Sequence, residues 1–592
     1  MTTRPASGLA LGAAVLALGL ASAASAQPLP CTDGHAGAYA CDGMDLISHV
    51  SLEDFGSGSG NDIWGWTDPE TGREYALVGL NDGTGFVDVT DPAHPINLGK
   101  LPTATEPSIW RDIKVYRDHA FVVSEAPAHG MQVFDLTRLR GLDHDPARTF
   151  EADVTYTGPD ETPLGSAHNI AINEESGFAY PIGAQECAGG LYMIDIREPL
   201  NPQFAGCFDE DGYSHDAQCV IYRGPDPDYQ GREICVGSNE DTITIVDVTD
   251  KANPVQIAQG TYPTPGYTHQ GWFTEDHRYF LADDELDEIQ GFSERTRTMA
   301  FDLEDLDSPE LLTIFEAPVG SADHNLYVLG DRVYQANYAS GLRVLDISGI
   351  EAGQIRQVAF FDIYPETDDA QFNGAWSVYP YFASGSIVVS GIEGGLFVVR
   401  PTATTSLNLS RFDVTVEEGA ADVTWVVERN SGEPLTLQRS HEGGPFLTVA
   451  TLPATAAPEY HVEGLSPGRH AFRLVQLGAD GRIQVSAAAE AVVAAPENFR
   501  VSQPYPGERG GTLRVAVTVA EGQQIRLDVV DGDGRRVKTV FDGTLDAGTA
   551  EAFEVFGEGL PSDTYTLQVT GETFAHEVAL AAFDTSALGS GR

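Results

Sequence analysis

The feature that most constrains this chain is a short phrase that returns at steps of 50, 57, 47, 54, 55 and 49 residues. Its copies are Asn61-Asp62-Ile63, Arg111-Asp112-Ile113, His168-Asn169-Ile170, His215-Asp216-Ala217, His269-Gln270-Gly271, His324-Asn325-Leu326 and Asn373-Gly374-Ala375. Each copy opens an apolar, strand-like run, followed by a second and by a third that usually ends in Asp. Self-similarity at this period, with several strands per unit, is the sequence sign of a β-propeller, where repeated positions become rings. Four consecutive copies start with His, so His168, His215, His269 and His324 are expected to face one another across that ring.

One unit is clearest after His215, with strands expected over 217–222, 233–236, 242–248 and 255–260. The aspartates that close the third strands (Asp88, Asp135, Asp195, Asp247, Asp302 and Asp346) read first as acceptors that cap tight turns. Counting first strands gives seven blades, and the seventh lacks a fourth strand. Residues 44–52 resemble the missing one, so the N-terminal strand is expected to complete the last blade and leave no open edge. The expected fold is all-β: a seven-bladed β-propeller over 43–402, followed by two small β-sandwich domains over 403–494 and 495–592.

The N-terminus carries Arg4, an apolar run over 9–20 and Ala24-Ser25-Ala26 before Gln27. A charged start, a short apolar region and a small-residue cleavage site read as a signal peptide over 1–26, removed on export. No later run is long enough to span a bilayer, so the mature chain is expected to have no transmembrane segment. Residues 27–42 read as a disulfide-pinned lead-in. The six cysteines fall in local pairs, Cys31/Cys41, Cys187/Cys207 and Cys219/Cys235, and none has CxxC spacing. The net charge of −54, from 34 Lys and Arg against 88 Asp and Glu, repels nucleic acid and anionic membrane. The acidic residues are spread along the whole chain, as in a solubility adaptation.

In a propeller the start of each first strand shares one face with the loop joining strands two and three. Those loops contain Asp82, Glu125, Glu186, Glu240, Asp284 and Glu393. The four histidines are therefore expected at one end of a channel with a collar of carboxylates. Neutral imidazole is a common ligand for Zn, Cu, Fe or Ni, and carboxylates extend the range to harder cations. A divalent metal ion on His168, His215, His269 and His324 is the candidate cofactor. Asp62, Asp112, Glu125, His129 and Glu240 are the further candidates for ligand binding at the channel mouth. A second reading makes each repeated His a lock, hydrogen-bonded to the backbone of the next blade. No G-x-S-x-G elbow and no H-E-x-x-H motif occurs, so no catalytic residue is assigned. Trp64, Trp66, Trp110, Trp272 and Trp376 lie on or beside first strands, either as wedges between blades or as an aromatic rim for a sugar or peptide.

Several phrases give the repeats a resemblance: 110–116 (Trp-Arg-Asp-Ile-Lys-Val-Tyr), 129–135 (His-Gly-Met-Gln-Val-Phe-Asp), Thr268-His269-Gln270-Gly271-Trp272 and Asp323-His324-Asn325-Leu326-Tyr327. Over about residues 30–402 the chain resembles the choice-of-anchor B family, secreted proteins built from LVIVD-type repeats. The resemblance implies no enzymatic activity. Residues 404–494 are similar to a fibronectin type III domain, on 472–475 (Phe-Arg-Leu-Val) and 478–481 (Gly-Ala-Asp-Gly). Residues 495–592 resemble a type IX secretion sorting domain through Pro504-Tyr505-Pro506, 531–537 and 559–565, with Gly507-Glu508-Arg509 where that family has Asn-Pro-Phe. This second resemblance implies secretion machinery as a partner, passage across the outer membrane, and release or attachment at the surface. The function expected from the whole chain is non-enzymatic: a binding or scaffold protein at or outside the cell surface, holding an unknown surface ligand. The competing class is a metal-dependent hydrolase or lyase in which the channel histidines hold the cation and a bound water attacks.

Overall fold

The computed structural model describes residues 28–402 without a break and, between 405 and 580, the strands with part of the turns that join them. The signal peptide expected over 1–26, the 507–509 stretch, and most of the 531–537 and 559–565 phrases lie outside the described residues. The chain is all-β, and among the described residues no helix exceeds four residues.

Seven antiparallel sheets follow one another between Met44 and Pro401. Their first strands are Gly60–Thr67, Arg111–Tyr116, Asn169–Asn173, Asp216–Ile221, Thr268–Phe273, Leu326–Leu329 and Ala375–Tyr379. Each sheet then continues from that strand as a meander. The seventh takes its last strand from the other end of the chain: Met44–Val50 pairs with Gly395–Pro401, Met44 opposite Pro401 and Val50 opposite Leu396. The sixth gains Tyr39–Asp42 and His35–Ala36 beyond its own fourth strand. The Cys31–Cys41 disulfide ties down this lead-in. First strands touch in chain order, and the seventh, Ala375–Tyr379, packs on the first, Gly60–Thr67.

The apolar runs are continuous because both faces of a strand are covered. In Glu74–Leu80, Leu77 packs with Val122 and Phe134 of the second sheet. Ala76, Val78 and Leu80 point the other way, onto Val388 and Val398 of the seventh. The same two-sided packing puts Val123 and Val133 against Tyr192 and Ile194, and Val236 and Ile245 against Ala282 and Met299. Full burial of such a side chain contributes about 1.5–3 kcal/mol, so the contact between sheets holds the body together. The aspartates that close the third strands are turn acceptors. Asp88, Asp135, Asp195, Asp247, Asp302 and Asp346 each accept the N–H two residues on, all at 2.9–3.0 Å.

Side chains of the repeated phrase bridge neighbouring first strands. Asp62 accepts the Ile113 N–H (3.1 Å), Asp112 that of Ile170 (2.7 Å) and Gln270 that of Leu326 (3.0 Å). Asn169 donates to the His215 carbonyl (3.0 Å) and Asn325 to the Ser377 hydroxyl (3.1 Å). Between the fourth and fifth sheets the acceptor is Gln218, on the Phe273 N–H (2.7 Å). Between the seventh and first it is the Ile392 carbonyl, on the Gly60 N–H (2.9 Å). The phrase thus satisfies buried polar groups that no ladder reaches.

Two further groups of sheets follow. Leu409–Glu417, Ala420–Val427 and Glu459–Val462 form one sheet. It shares a core of Trp425, Leu437, Phe472 and Leu474 with a sheet that contains Leu435–His441 and Gly468–Leu477. Beyond it, Leu513–Val519 and Ala550–Phe556 belong to one sheet and Gln523–Val530 and Tyr565–Gly571 to another, around Val515, Leu527, Val555 and Leu567. The remaining disulfides are Cys187–Cys207 and Cys219–Cys235, the latter between residues directly opposite in the fourth sheet. All six cysteines are paired, the pattern of an extracellular protein.

Candidate functional site

His168 and His215 directly precede a first strand, His324 stands two residues before its strand, and His269 lies one residue inside its own. Strand pairing carries the backbone to these positions: the His168 N–H donates to Ile182 and the His215 N–H to Ser238. In the fifth sheet the register shifts between Thr268 and Gly271, so His269 and Gln270 sit on a bulge. Bulges re-aim side chains next to functional sites. Gly271 makes room for this one, since a Cβ there would lie 2.6 Å from the Leu281 carbonyl.

The four imidazoles contact one another in sequence, tilted by 56°, 36° and 44°. Ring centroids are 4.3 Å apart for His168 and His215, 4.1 Å for His215 and His269, and 4.3 Å for His269 and His324. Three of them have their Nδ1 committed. His215 donates it to the His269 carbonyl at 2.9 Å, and His324 to the Trp376 carbonyl. In His168 it lies 2.6 Å from Glu125 Oε1. A neutral ring with a donating Nδ1 keeps its lone pair on Nε2. His269 is fully buried and neither ring nitrogen has a partner, its Nδ1 lying 3.4 Å from Asp283 Oδ1. Burial, reinforced by the neighbouring imidazoles, pushes His215 and His269 well below the usual histidine range and His324 to about 3. All three are therefore neutral at neutral pH. The lock reading of the repeated His holds for His215 and His324, which reach the next sheet through Nδ1 and leave the Nε2 lone pair uncommitted.

A cavity of about 250 Å³ opens against His168, His215 and His324, with the fully buried His269 outside its lining. Its walls are aromatic: Trp110, Trp376, Tyr213, Tyr267 and Tyr338. Its polar groups are His168, His215 and His324 with Glu125 and Glu285. Glu285 Oε1 accepts the Tyr338 hydroxyl at 2.6 Å and lies 3.9 Å from His324 Nε2. Burial raises the Glu285 carboxyl. Ligand atoms of His269, Glu285 and His324 all fall within 4.8 Å of one another.

The other expected residues lie elsewhere. Asp62 and Asp112 are buried one position further along their strands, where they bridge sheets and hold Lys114, whose ammonium is 2.7 Å from Asp112 and 3.8 Å from Asp62. Burial raises both carboxyls. At Asp112, Lys114 and the Ile170 N–H outweigh it and hold the group below the usual range, while Asp62 is pushed well above. His129 is fully buried away from the cavity walls, its Nδ1 on the Gly130 carbonyl and its Nε2 3.1 Å from Arg111. Glu240 is exposed, and its carbonyl accepts the Thr268 N–H. Asp284 ends its strand and holds the 262–267 segment rather than lining the cavity, since it accepts from Gly266, Tyr267 and Tyr262.

Sequence reasoning missed Glu285 and the three tyrosines. Two signals were present. Glu285 and Glu125 are each the first residue after a second strand, Tyr279–Asp284 and His119–Ser124. Tyr213 and Tyr267 each precede the phrase histidine by two. Of the tryptophans, Trp64 and Trp66 are buried wedges, whereas Trp110, 41% exposed, and Trp376 stand at the cavity.

The fold and site together define an all-β, disulfide-bonded protein with an imidazole- and carboxylate-lined mouth. No family model matches the sequence, and no curated protein matches it. Among solved structures, the extracellular domain assigned to the one component system BT4673 of B. thetaiotaomicron is 12% identical, with 74% of this chain and 58% of that one covered and a TM-score of 0.37. The chain thus spans little more than half of that relative. A protein from Lactobacillus plantarum is 14% identical, covering 68% of this chain and 99% of its own, with a TM-score of 0.31. A two-domain fibronectin type III segment of chicken tenascin is 16% identical over 29% of this chain and 99% of its own, with a TM-score of 0.14. At these TM-scores the likenesses define neither fold nor function for this chain.

Proposed function

We propose that this chain is an extracellular, non-enzymatic binding protein whose ligand enters the histidine mouth. Residues 43–402 form a seven-bladed β-propeller of the choice-of-anchor B kind. The 403–494 unit is a fibronectin type III-like spacer, and 495–592 a type IX-like sorting domain that engages secretion machinery and directs the protein to the surface. The closed order of contacts among first strands and the bridges at every junction support the propeller. All six cysteines being paired supports export.

The observation that carries the binding reading is the make-up of the mouth. Aromatic walls with a few convergent polar groups are the usual lining of a ligand site. Among the described residues its lining holds no Ser, Thr or Cys to act as a nucleophile. The test offers chromogenic esters, phosphoesters and glycosides to the export-processed protein, with and without added ZnCl2. No turnover above that of His324→Gln is expected. Turnover that this substitution abolishes would replace the binding reading with the hydrolase.

A further inference from the structure

We propose that His269, His324 and Glu285 hold one divalent first-row transition-metal ion, with Zn2+ as its representative, at the mouth. The inference rests on the binding reading for the place of the site and names the cation held there.

The donor atoms already lie close together. Those of His269, Glu285 and His324 are within 4.8 Å of one another, with His324 Nε2 3.9 Å from Glu285 Oε1. Ligands about 2.0–2.2 Å from one ion stand about 3.3 Å apart. Small side-chain rotations therefore complete the site.

The unpartnered ring of His269 is the second observation. It is fully buried, yet neither nitrogen makes a hydrogen bond. A buried polar group without a partner is costly and rare. An ion on Nε2 gives one nitrogen its partner. A slight approach to Asp283, now 3.4 Å from Nδ1, gives the other an acceptor.

The surrounding groups have the form that orients metal ligands. A ligating histidine usually donates its second N–H to a carbonyl or carboxylate, and ligating carboxylates are themselves hydrogen-bonded. His324 donates Nδ1–H to the Trp376 carbonyl, and Glu285 accepts the Tyr338 hydroxyl. Two imidazoles with one carboxylate select a borderline cation, whereas Ca2+ and Mg2+ prefer oxygen shells. His324 and Glu285 also line the cavity, so a ligand bound there would have access to positions left on the ion.

The test uses the full export-processed chain, stripped with EDTA and titrated with ZnCl2 by calorimetry. Uptake of one equivalent is expected. His324→Gln and Glu285→Gln, checked for folding by circular dichroism, are each expected to weaken it by at least about 10–100-fold, the loss that even supporting residues of such sites cause. Should either variant misfold, X-ray absorption of the Zn2+-loaded wild type decides the matter. Two imidazole nitrogens with oxygen support the site, and an all-oxygen shell overturns it. Wild type that takes up no Zn2+, or folded variants that bind it as tightly, also overturns it. Metal-free protein without turnover removes this inference alone, whereas Zn2+-dependent hydrolysis removes the binding reading and leaves the metal.

Discussion

The Asp112 carboxylate joins two sheets and a buried cation at once: one oxygen accepts the Ile170 N–H at 2.7 Å and the other holds Lys114 Nζ at 2.7 Å. Both charged groups are almost wholly buried, so neither can turn to water when its partner is removed. Asp112→Ala is expected to cost about 3–5 kcal/mol, the usual penalty for leaving half of a buried pair. Asp112→Asn keeps an acceptor for Ile170 and is expected to cost less. Gln270→Ala removes only a neutral bridge to Leu326, for about 1–3 kcal/mol. Urea denaturation followed by tryptophan fluorescence ranks the three. Equal costs for Asp112→Ala and Gln270→Ala would deny Lys114 its part.

The pairing of Met44–Val50 with Gly395–Pro401 predicts how the body responds to N-terminal truncation. A chain starting at residue 44 keeps that strand and uncovers only the short pairing of Cys41 and Asp42 with Phe361 and Phe360, so it is expected to keep the solution state of the export-processed chain. A chain starting at residue 52 bares the edge of Gly395–Pro401, and open edges recruit other chains. Light scattering after size exclusion is expected to show aggregation of the shorter chain only. Equal scattering and equal melting temperatures for the two chains would mean that the strand does not close the structure.

What was legible in the sequence was whatever repeats. The step of the Asp-Ile and His-Asn phrases marks the first strands, because the same backbone position recurs in each sheet. The aspartates after the third strands were readable for the same reason, since an Asx turn depends on two residues only. The site was half legible. His168, His215, His269 and His324 were expected together, and their rings do meet. Glu285 was hidden because loop residues carry no strand periodicity, and its neighbour Asp284 is an equally acidic residue with a different task. Asp62 and Asp112 were assigned to the mouth because spacing along the chain does not tell which way a side chain leaves the strand. In the fold they point at the next sheet.

The Cys219–Cys235 disulfide joins opposite residues of the fourth sheet and is buried against Met193 and Val246. It closes a loop with a sequence separation of 16. Loop-closure entropy for a span of that length is about 3 kcal/mol. The double variant Cys219→Ala with Cys235→Ala is expected to lose about that much in urea denaturation. Cys31–Cys41 ties only the lead-in, and its removal is expected to leave the main transition in place. Identical losses from both would show that the disulfide in the fourth sheet has no special weight.

Asp362 gives the fold a measurable pH dependence away from the mouth. It lies at the end of the sixth sheet, just past Phe361, buried, with its carboxylate accepting the Tyr364 N–H at 2.8 Å. Burial is the main cause that pushes it up to about 6, with Asp368 and Glu366 adding to it and the Tyr364 N–H and Arg343 opposing. The folded chain therefore keeps this proton at pH values where the unfolded chain has lost it. The stability this group contributes is full below the ordinary aspartate value and is lost as pH rises through about 6. Asp362→Asn can still accept from Tyr364 and carries no charge at any pH. Its stability relative to wild type is expected to rise across that window and level off above it, by about 1–3 kcal/mol in all. Denaturation at a series of pH values between about 4 and 8 reads the difference directly, because the many other carboxylates are common to both chains. Parallel curves for the two proteins would place the Asp362 carboxylate in contact with water and remove the basis of the shift.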